Sequence, residues 1–234
     1  MYFNPAKCNI LSTRPGTKTH FNYFYKLYGV VLKEVETAKY LGVLLSNTLS
    51  WSPHIDTVAC KASQKLGFIR RNLRGSPLKS KCMAYTALVR SGMEYAAPIW
   101  DPATQKDGNK LEAIQRRAAR WAKSVFYDRS VSVTKLLQEL EWAELADRRK
   151  YLRLVLLYKI VHNHVDIEHS ELGIQPNTRP SRRNTQQPFR QRSHTDIFKN
   201  SFAIRTVSDW NSLPEKSVSA GSVNAFKSQC AVKP

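Results

Sequence analysis

Carboxylates are scarce in this chain: 18 Asp and Glu stand against 37 Lys and Arg in 234 residues, a formal net charge of +19. Self-repulsion of that size destabilises a compact state unless a polyanion offsets it. Nucleic acid is therefore favoured as partner over an anionic membrane surface or a merely solvated basic surface. Cysteine is also sparse, with Cys8, Cys60, Cys82 and Cys230 scattered and no CxxC pair. That spacing argues against both a disulfide framework and a zinc site, and fits a reducing compartment. No apolar run is long enough for a bilayer, and Met1-Tyr2-Phe3-Asn4-Pro5 holds no apolar signal core. The expectation is an intracellular protein, nuclear or cytoplasmic, with no membrane partner.

Patterns that carry chemistry are missing as well. Nucleotidyl transfer needs clustered carboxylates to hold two Mg²⁺ ions. There is no Asp-Asp dipeptide here, and Asp56, Asp101, Asp147 and Asp209 fall in helix or loop contexts that suit ion pairs or helix starts. Neither a Gly-x-Ser-x-Gly elbow nor a Walker-type phosphate loop occurs. His162-Asn163-His164, near Glu168 and His169, has zinc-compatible ligand types. Its spacing matches no standard site, and imidazoles at a helix end interact with the dipole without a metal. No catalytic residue, metal site or cofactor is expected.

What is present divides into zones. The start is strand-like: Cys8 to Thr13, then Tyr23-Phe24-Tyr25-Lys26-Leu27 and Val30-Val31-Leu32 around Gly29, which suggests a hairpin. Tyr40-Leu41-Gly42-Val43-Leu44-Leu45 reads as a further strand. So few strands leave a face and two edges uncovered. Helices follow. Ser52-Pro53 is a start signal and Gly75 a stop, with Ile55, Val58, Ala59, Ala62, Leu66 and Ile69 on one stripe between them. Ser76-Pro77 repeats the start signal ahead of Cys82, Tyr85, Leu88 and Val89. A third helix carries Leu111, Ile114, Ala118, Trp121 and Val125 on its core side. A fourth spans Val133 to Leu140, and a fifth Ala143 to Val161, with Leu145, Leu152, Leu156 and Ile160 inward and Arg149 and Arg153 as an outer pair. From Gln175 to His194 the chain is polar, basic and Pro-rich, composition that reads as a mobile linker. Phe198, Phe202, Ile204, Val207, Trp210 and Leu213 could pack back on the bundle, and Ser217 to Lys227 reads as a last short helix.

Basic residues recur at helical spacing. Arg116, Arg120 and Lys123 stand at i, i+4 and i+7 with Arg117 beside them. Arg70, Arg71 and Arg74 close the first long helix; Arg149 and Arg153 lie in a run on the fifth; Arg182 and Arg183 belong to the linker. Arginine suits phosphate because its planar fork binds bidentately and stays charged. These clusters are the candidate nucleic-acid contacts, set against the plainer reading of solvated faces.

A resemblance then becomes specific. Lys39-Tyr40-Leu41-Gly42-Val43, Leu49-Ser50-Trp51, Leu66-Gly67-Phe68-Ile69-Arg70-Arg71-Asn72-Leu73, Ile99-Trp100-Asp101-Pro102, Leu111-Glu112-Ala113-Ile114-Gln115-Arg116-Arg117-Ala118-Ala119-Arg120 and Ser208-Asp209-Trp210-Asn211-Ser212-Leu213-Pro214 occur in this order. Together they resemble the C-terminal part of non-LTR (LINE-type, jockey-like) retrotransposon reverse transcriptases. The resemblance implies a mainly α chain: a small N-terminal β-hairpin or sheet from the end of a polymerase palm, a thumb-like helical bundle, and a basic, partly disordered tail. It implies distal palm and primer-grip strands over 1–46, a thumb-like domain over 47–166, a linker over 167–195 and a returning segment over 196–234. Lys7 resembles the family's lysine-bearing loop, and Tyr40, Leu41 and Gly42 its primer-grip turn, both implied to lie near the primer end. The implied partner is an RNA and/or DNA primer-template, with exposed palm strands able to pair with another chain. The family's catalytic aspartates, fingers and cysteine-histidine knuckle have no counterpart here, so Mg²⁺ and polymerase activity belong to the intact family enzyme. The alternatives are an α-helical protein-interaction module and a decayed fragment without activity.

Overall fold

The N-terminal strands form because short β-prone pairs flank turns whose backbone must go left-handed. In the computed structural model, β2 (Lys26–Leu27) and β3 (Val30–Val31) pair antiparallel across Tyr28 and Gly29, at φ +50° and +80°. Two successive positive φ values are the signature of a tight hairpin turn, and glycine adopts the second without steric cost. Described here are residues 2–13, 23–126, 128, 130–168, 171–176, 188–189, 193 and 195–230. β1 (Asn9–Ile10) runs parallel to β4 (Lys33–Glu34). The expected strand from Tyr40 to Leu45 is instead two: β5 (Thr37–Tyr40) turns at Leu41 and Gly42, at φ +46° and +88°, into β6 (Val43–Ser46). The apolar pattern alone conceals that turn, because Leu41 is a poor turn former held there by the four-residue ladder on either side; the primer-grip resemblance implies a turn at these residues.

The chain divides into two compact units, Met1–Thr57 and Val58–Pro234. In the first, the Leu44 amide donates to His54 Nδ1 (3.1 Å), fixing β6 against the first turn of α1 (Ser52–Asn72). Most of its aromatic surface faces solvent, with Tyr23, Phe24, Tyr25, Tyr28 and Tyr40 all exposed.

Helices dominate the second unit, as the apolar spacing predicts. Ala62, Leu66 and Ile69 are buried on α1, with Val58 and Ala59 half-buried at the edge of the same stripe. Gly75 follows α1 without entering the left-handed region, so it is no αL stop; the end is made by Leu73 and Ser76 amides on Ile69 and Leu73 carbonyls. Ser76 does not cap α2 (Leu78–Ala84) either, which starts after Pro77. α2 continues through a π-helical turn, Tyr85–Arg90, into α3 (Ser91–Glu94). This composite helix buries Lys81, Tyr85, Val89 and Met93, while Leu88 is exposed. α4 (Ala97–Trp100), α5 (Gln105–Ala122) and α6 (Val133–Glu139) follow. The Tyr85 hydroxyl donates to Gln115 (2.8 Å), whose amide donates to the Ala143 carbonyl (2.8 Å), and Tyr85 stacks on Trp142. Every polar atom placed in this core position thus has a partner, which offsets its desolvation.

α7 (Leu145–Val161) departs most from expectation. Leu152 and Leu156 are only half-buried, whereas Leu154, Val155, Leu157 and Tyr158 are buried, as are Arg149 and Arg153. A one-stripe reading assumes one covered face. α7 instead packs against α4 and α5 and against α9 (Phe202–Trp210) and α11 (Val223–Gln229). The last cover comes from α8 (Asp196–Lys199), α9, α10 (Glu215–Val218) and α11, two helices where one was expected after Ser217. Trp210 and Phe226 stack at 5.6 Å and Tyr158 lies on Phe226 at 4.4 Å, making an aromatic centre enclosed by Val207, Val218 and Leu157. Ser222 starts α11 by accepting from the Ala225 amide (3.1 Å), a side-chain N-cap.

Candidate nucleic-acid interface

The end of α1 and the end of α5 build the more open of two cation-rich sites. Arg70, Arg71 and Arg74 come off the last turn of α1 and just beyond it, where cations also answer the helix dipole. After α5 the chain turns through Ser124, at φ +59°, and the Val125 amide bonds the Arg120 carbonyl. That turn delivers Phe126 beneath Arg70, whose guanidinium carbon sits 3.9 Å from the ring centroid. Between them lies a cleft of about 750 Å³ lined by Gly67, Arg70, Arg71, Arg74, Lys81, Trp121, Ser124 and Phe126. Among the described residues four cations line it and no carboxylate does. Lys81, only 5% exposed, donates to Ser124 Oγ (3.0 Å) and stands 5.8 Å from the centre of the Trp121 ring. One helical turn back along both helices, Arg117 donates to Ser63 Oγ (2.9 Å) and remains exposed.

The second site, of similar size (about 720 Å³), has mixed charge. Five carboxylates (Asp101, Glu112, Glu144, Asp147, Asp209) line it alongside six cations (Arg116, Arg149, Lys150, Arg153, Lys199, Arg205). Asp101 is the hub: its Oδ1 pairs with Arg149 Nε at 2.8 Å, and its Oδ2 with Arg153 Nε at 2.9 Å and an Arg205 terminal nitrogen at 3.1 Å. Arg153 also pairs with Asp209 (2.9 Å), which takes Lys150 at 3.1 Å. Burial pulls the Arg205 guanidinium below its ordinary pKa, opposed by Asp101. Burial also pushes the Glu112 carboxyl up, against hydrogen bonds from the Ala146 and Leu145 amides that open α7.

The candidate residues are therefore dispersed. Arg149 and Arg153, expected as an outer pair, are internal ion-pair partners, because the aspartates that hold them are distant in sequence. Arg116 is exposed but lines the mixed-charge cleft. Arg120 donates to the Asp128 and Val131 carbonyls, and Lys123 pairs with Glu139 at 2.7 Å, so two members of the expected stripe brace the α5–α6 connection. Lys7, ending the 3₁₀ turn Pro5–Lys7, is exposed in the first unit, as are Tyr40 and Leu41 in the turn with Gly42. Arg182 and Arg183 lie outside the described residues, as does His169. His162 lies tilted against Tyr158 at 4.2 Å, and among the described residues no three His, Cys, Asp or Glu side chains gather to hold a metal. Lys81 was not among the sequence candidates. The available signal was its position on an apolar stripe, four and eight residues before Tyr85 and Val89.

Comparison with known proteins adds the decisive observation. The chain is 30% identical over 98 residues to the probable RNA-directed DNA polymerase from transposon BS of Drosophila melanogaster, covering 41% of this chain and 11% of that protein. It is 27% identical over 94 residues to the corresponding protein from transposon X-element of the same organism, covering 39% of this chain and 10% of that protein. Part of this chain is similar to LINE-type reverse transcriptases. No family model and no solved structure matches. The chain spans about a tenth of the length of these curated relatives, and its fold is mainly α with a small N-terminal sheet. Among its described residues no helix is long and apolar enough to cross a membrane.

Proposed function

We propose that this chain is the part of a retrotransposon reverse transcriptase that follows the catalytic palm, and that it holds a nucleic-acid primer-template without carrying the catalytic aspartates. The cleft lined, among the described residues, by four cations and no carboxylate supports this reading most directly. Phosphates supply the missing countercharge, and arginine forks bind them with both charge and geometry. The net charge of +19 extends the attraction beyond the cleft. Arg70, Arg71 and Arg74 carry the contact, with Arg117 extending it along α1 and α5. Lys7 and the Tyr40-Leu41-Gly42 turn serve as a separate primer-proximal contact in the first unit. Arg149 and Arg153 drop out, since their forks are filled by Asp101 and Asp209.

Fluorescence anisotropy with an RNA–DNA primer-template across a salt series tests this. Binding should weaken steeply with salt, and Arg71→Ala with Arg74→Ala should lower the slope by about 2, roughly one per lost phosphate contact. A folded chain whose binding is absent at low salt, or insensitive to salt, contradicts the proposal.

A further inference from the structure

Buried cations in this molecule follow a rule that one residue breaks. Among the described residues, the buried arginines Arg90, Arg149 and Arg153 each face a carboxylate: Glu94 for the first, Asp101 for the other two. Lys81 is equally buried, yet its described partners are a neutral hydroxyl, Ser124 Oγ, and the Trp121 ring. An ammonium taken out of water at that depth is costly unless a negative group completes its surroundings. Lysine has three donors, and one is used on Ser124. Lys81 lines a cleft whose other cations, among the described residues, are Arg70, Arg71 and Arg74. Arg70 is held over Phe126 and Lys81 by Ser124, so two of the four charges are positioned before any ligand arrives.

The depth of Lys81 restricts which anion can reach it. A phosphodiester within a strand is flanked by sugars on both sides and carries one charge, so it suits a surface of exposed arginines. A phosphate monoester projects from its attachment, offers three free oxygens and carries about −1.5 to −2 charges at neutral pH. We infer that Lys81 forms the floor of a pocket for a phosphate monoester, with Arg70, Arg71 and Arg74 closing over it, and that the ligand is the phosphorylated end of a nucleic-acid strand. This rests on the nucleic-acid reading above and adds a feature that general phosphate binding does not require: discrimination between strand ends.

The experiment compares otherwise identical single-stranded oligonucleotides bearing a 5′-phosphate, a 3′-phosphate or only hydroxyl ends, by anisotropy at one fixed salt concentration. Inorganic phosphate serves as competitor. The full chain should prefer a phosphorylated end by about tenfold, the scale of one added charge-assisted hydrogen bond. In Lys81→Met, which keeps length and apolar bulk, the preference should fall to about one while binding of the hydroxyl-ended strand persists. Arg74→Gln, at an exposed position, should reduce the preference partially and serves if Lys81→Met does not fold. Equal affinity of the full chain for all three strands overturns the end-binding inference and leaves the general nucleic-acid reading standing. Absence of binding to any of them overturns both. Phosphate-induced thermal stabilisation that Lys81→Met abolishes, without end preference, would reassign the pocket to free phosphate and reject the strand end.

Discussion

Two arginine-rich regions of the second unit look alike in sequence and differ completely in use. At the α1 and α5 ends, four cations and, among the described residues, no carboxylate line a cleft. Around α7, Arg149, Arg153 and Arg205 converge on Asp101, and Asp209 takes what remains. The first arrangement leaves positive charge to be neutralised from outside. The second neutralises itself and fastens the C-terminal helices to the bundle, since Asp101 follows α4 while Asp209 and Arg205 lie on α9. A basic cluster becomes a candidate binding surface only when the fold brings it no acid, which spacing along one helix cannot reveal.

The largest effect should come from breaking the internal network. Asp101→Ala leaves Arg149 and Arg153 buried without their hub, and should destabilise the second unit by about 3–5 kcal/mol, measured by urea unfolding. A loss below about 1 kcal/mol would mean that water already screens these charges. Converting the open cleft into the closed kind is the sharper manipulation. Ser124→Asp places a carboxylate beside Lys81 at a positive-φ position that Asp tolerates. It should leave the melting temperature equal or higher while abolishing the preference for a phosphorylated strand end; an unchanged preference would remove Lys81 from the pocket.

Glu112 tests the acid-rich side through pH. Burial raises its folded-state pKa above the ordinary value of 4.5, so the folded protein holds this proton more tightly than the unfolded chain. The stabilisation is present below about pH 4.5 and is lost as pH rises through the higher folded value. Glu112→Gln should remove that decline, which has a slope of at most about 1.4 kcal/mol per pH unit, from a plot of unfolding free energy against pH. An unaltered profile would show that another group carries it. The smallest effect belongs to the rim. Lys150, half-exposed and paired with Asp209 at 3.1 Å, should change stability by less than about 1 kcal/mol when replaced by alanine.

Much of this architecture is legible in the residues. Ala62, Leu66 and Ile69 at helical spacing gave the buried side of α1, and the Gly29 turn gave the first hairpin. The second hairpin is hidden from the hydrophobic pattern because Leu41, not a turn former, occupies a left-handed position, and only the primer-grip resemblance implies its turn. α7 was misjudged because a helix covered on several sides has no single stripe, so its arginines looked external. Of the candidate site, Arg70, Arg71 and Arg74 were visible as a cluster at a helix end. Lys81 was not, because its significance lies in the absence of an acid around it, a property of the packed helices. The motifs containing Asp101 and Asp209 were prominent in sequence, yet that they meet at Arg153, across more than a hundred residues, required the fold.

The most direct test compares the two regions in one assay. Primer-template binding would be followed across a salt series for the unaltered chain, for Arg71→Ala with Arg74→Ala, and for Arg116→Ala with Lys150→Ala. Both pairs remove two exposed or half-exposed cations and the same formal charge. The account predicts a slope reduced by about 2 for the first pair and essentially unchanged for the second. Equal reductions would contradict it, because charge alone, and not the carboxylate-free cleft, would then determine binding.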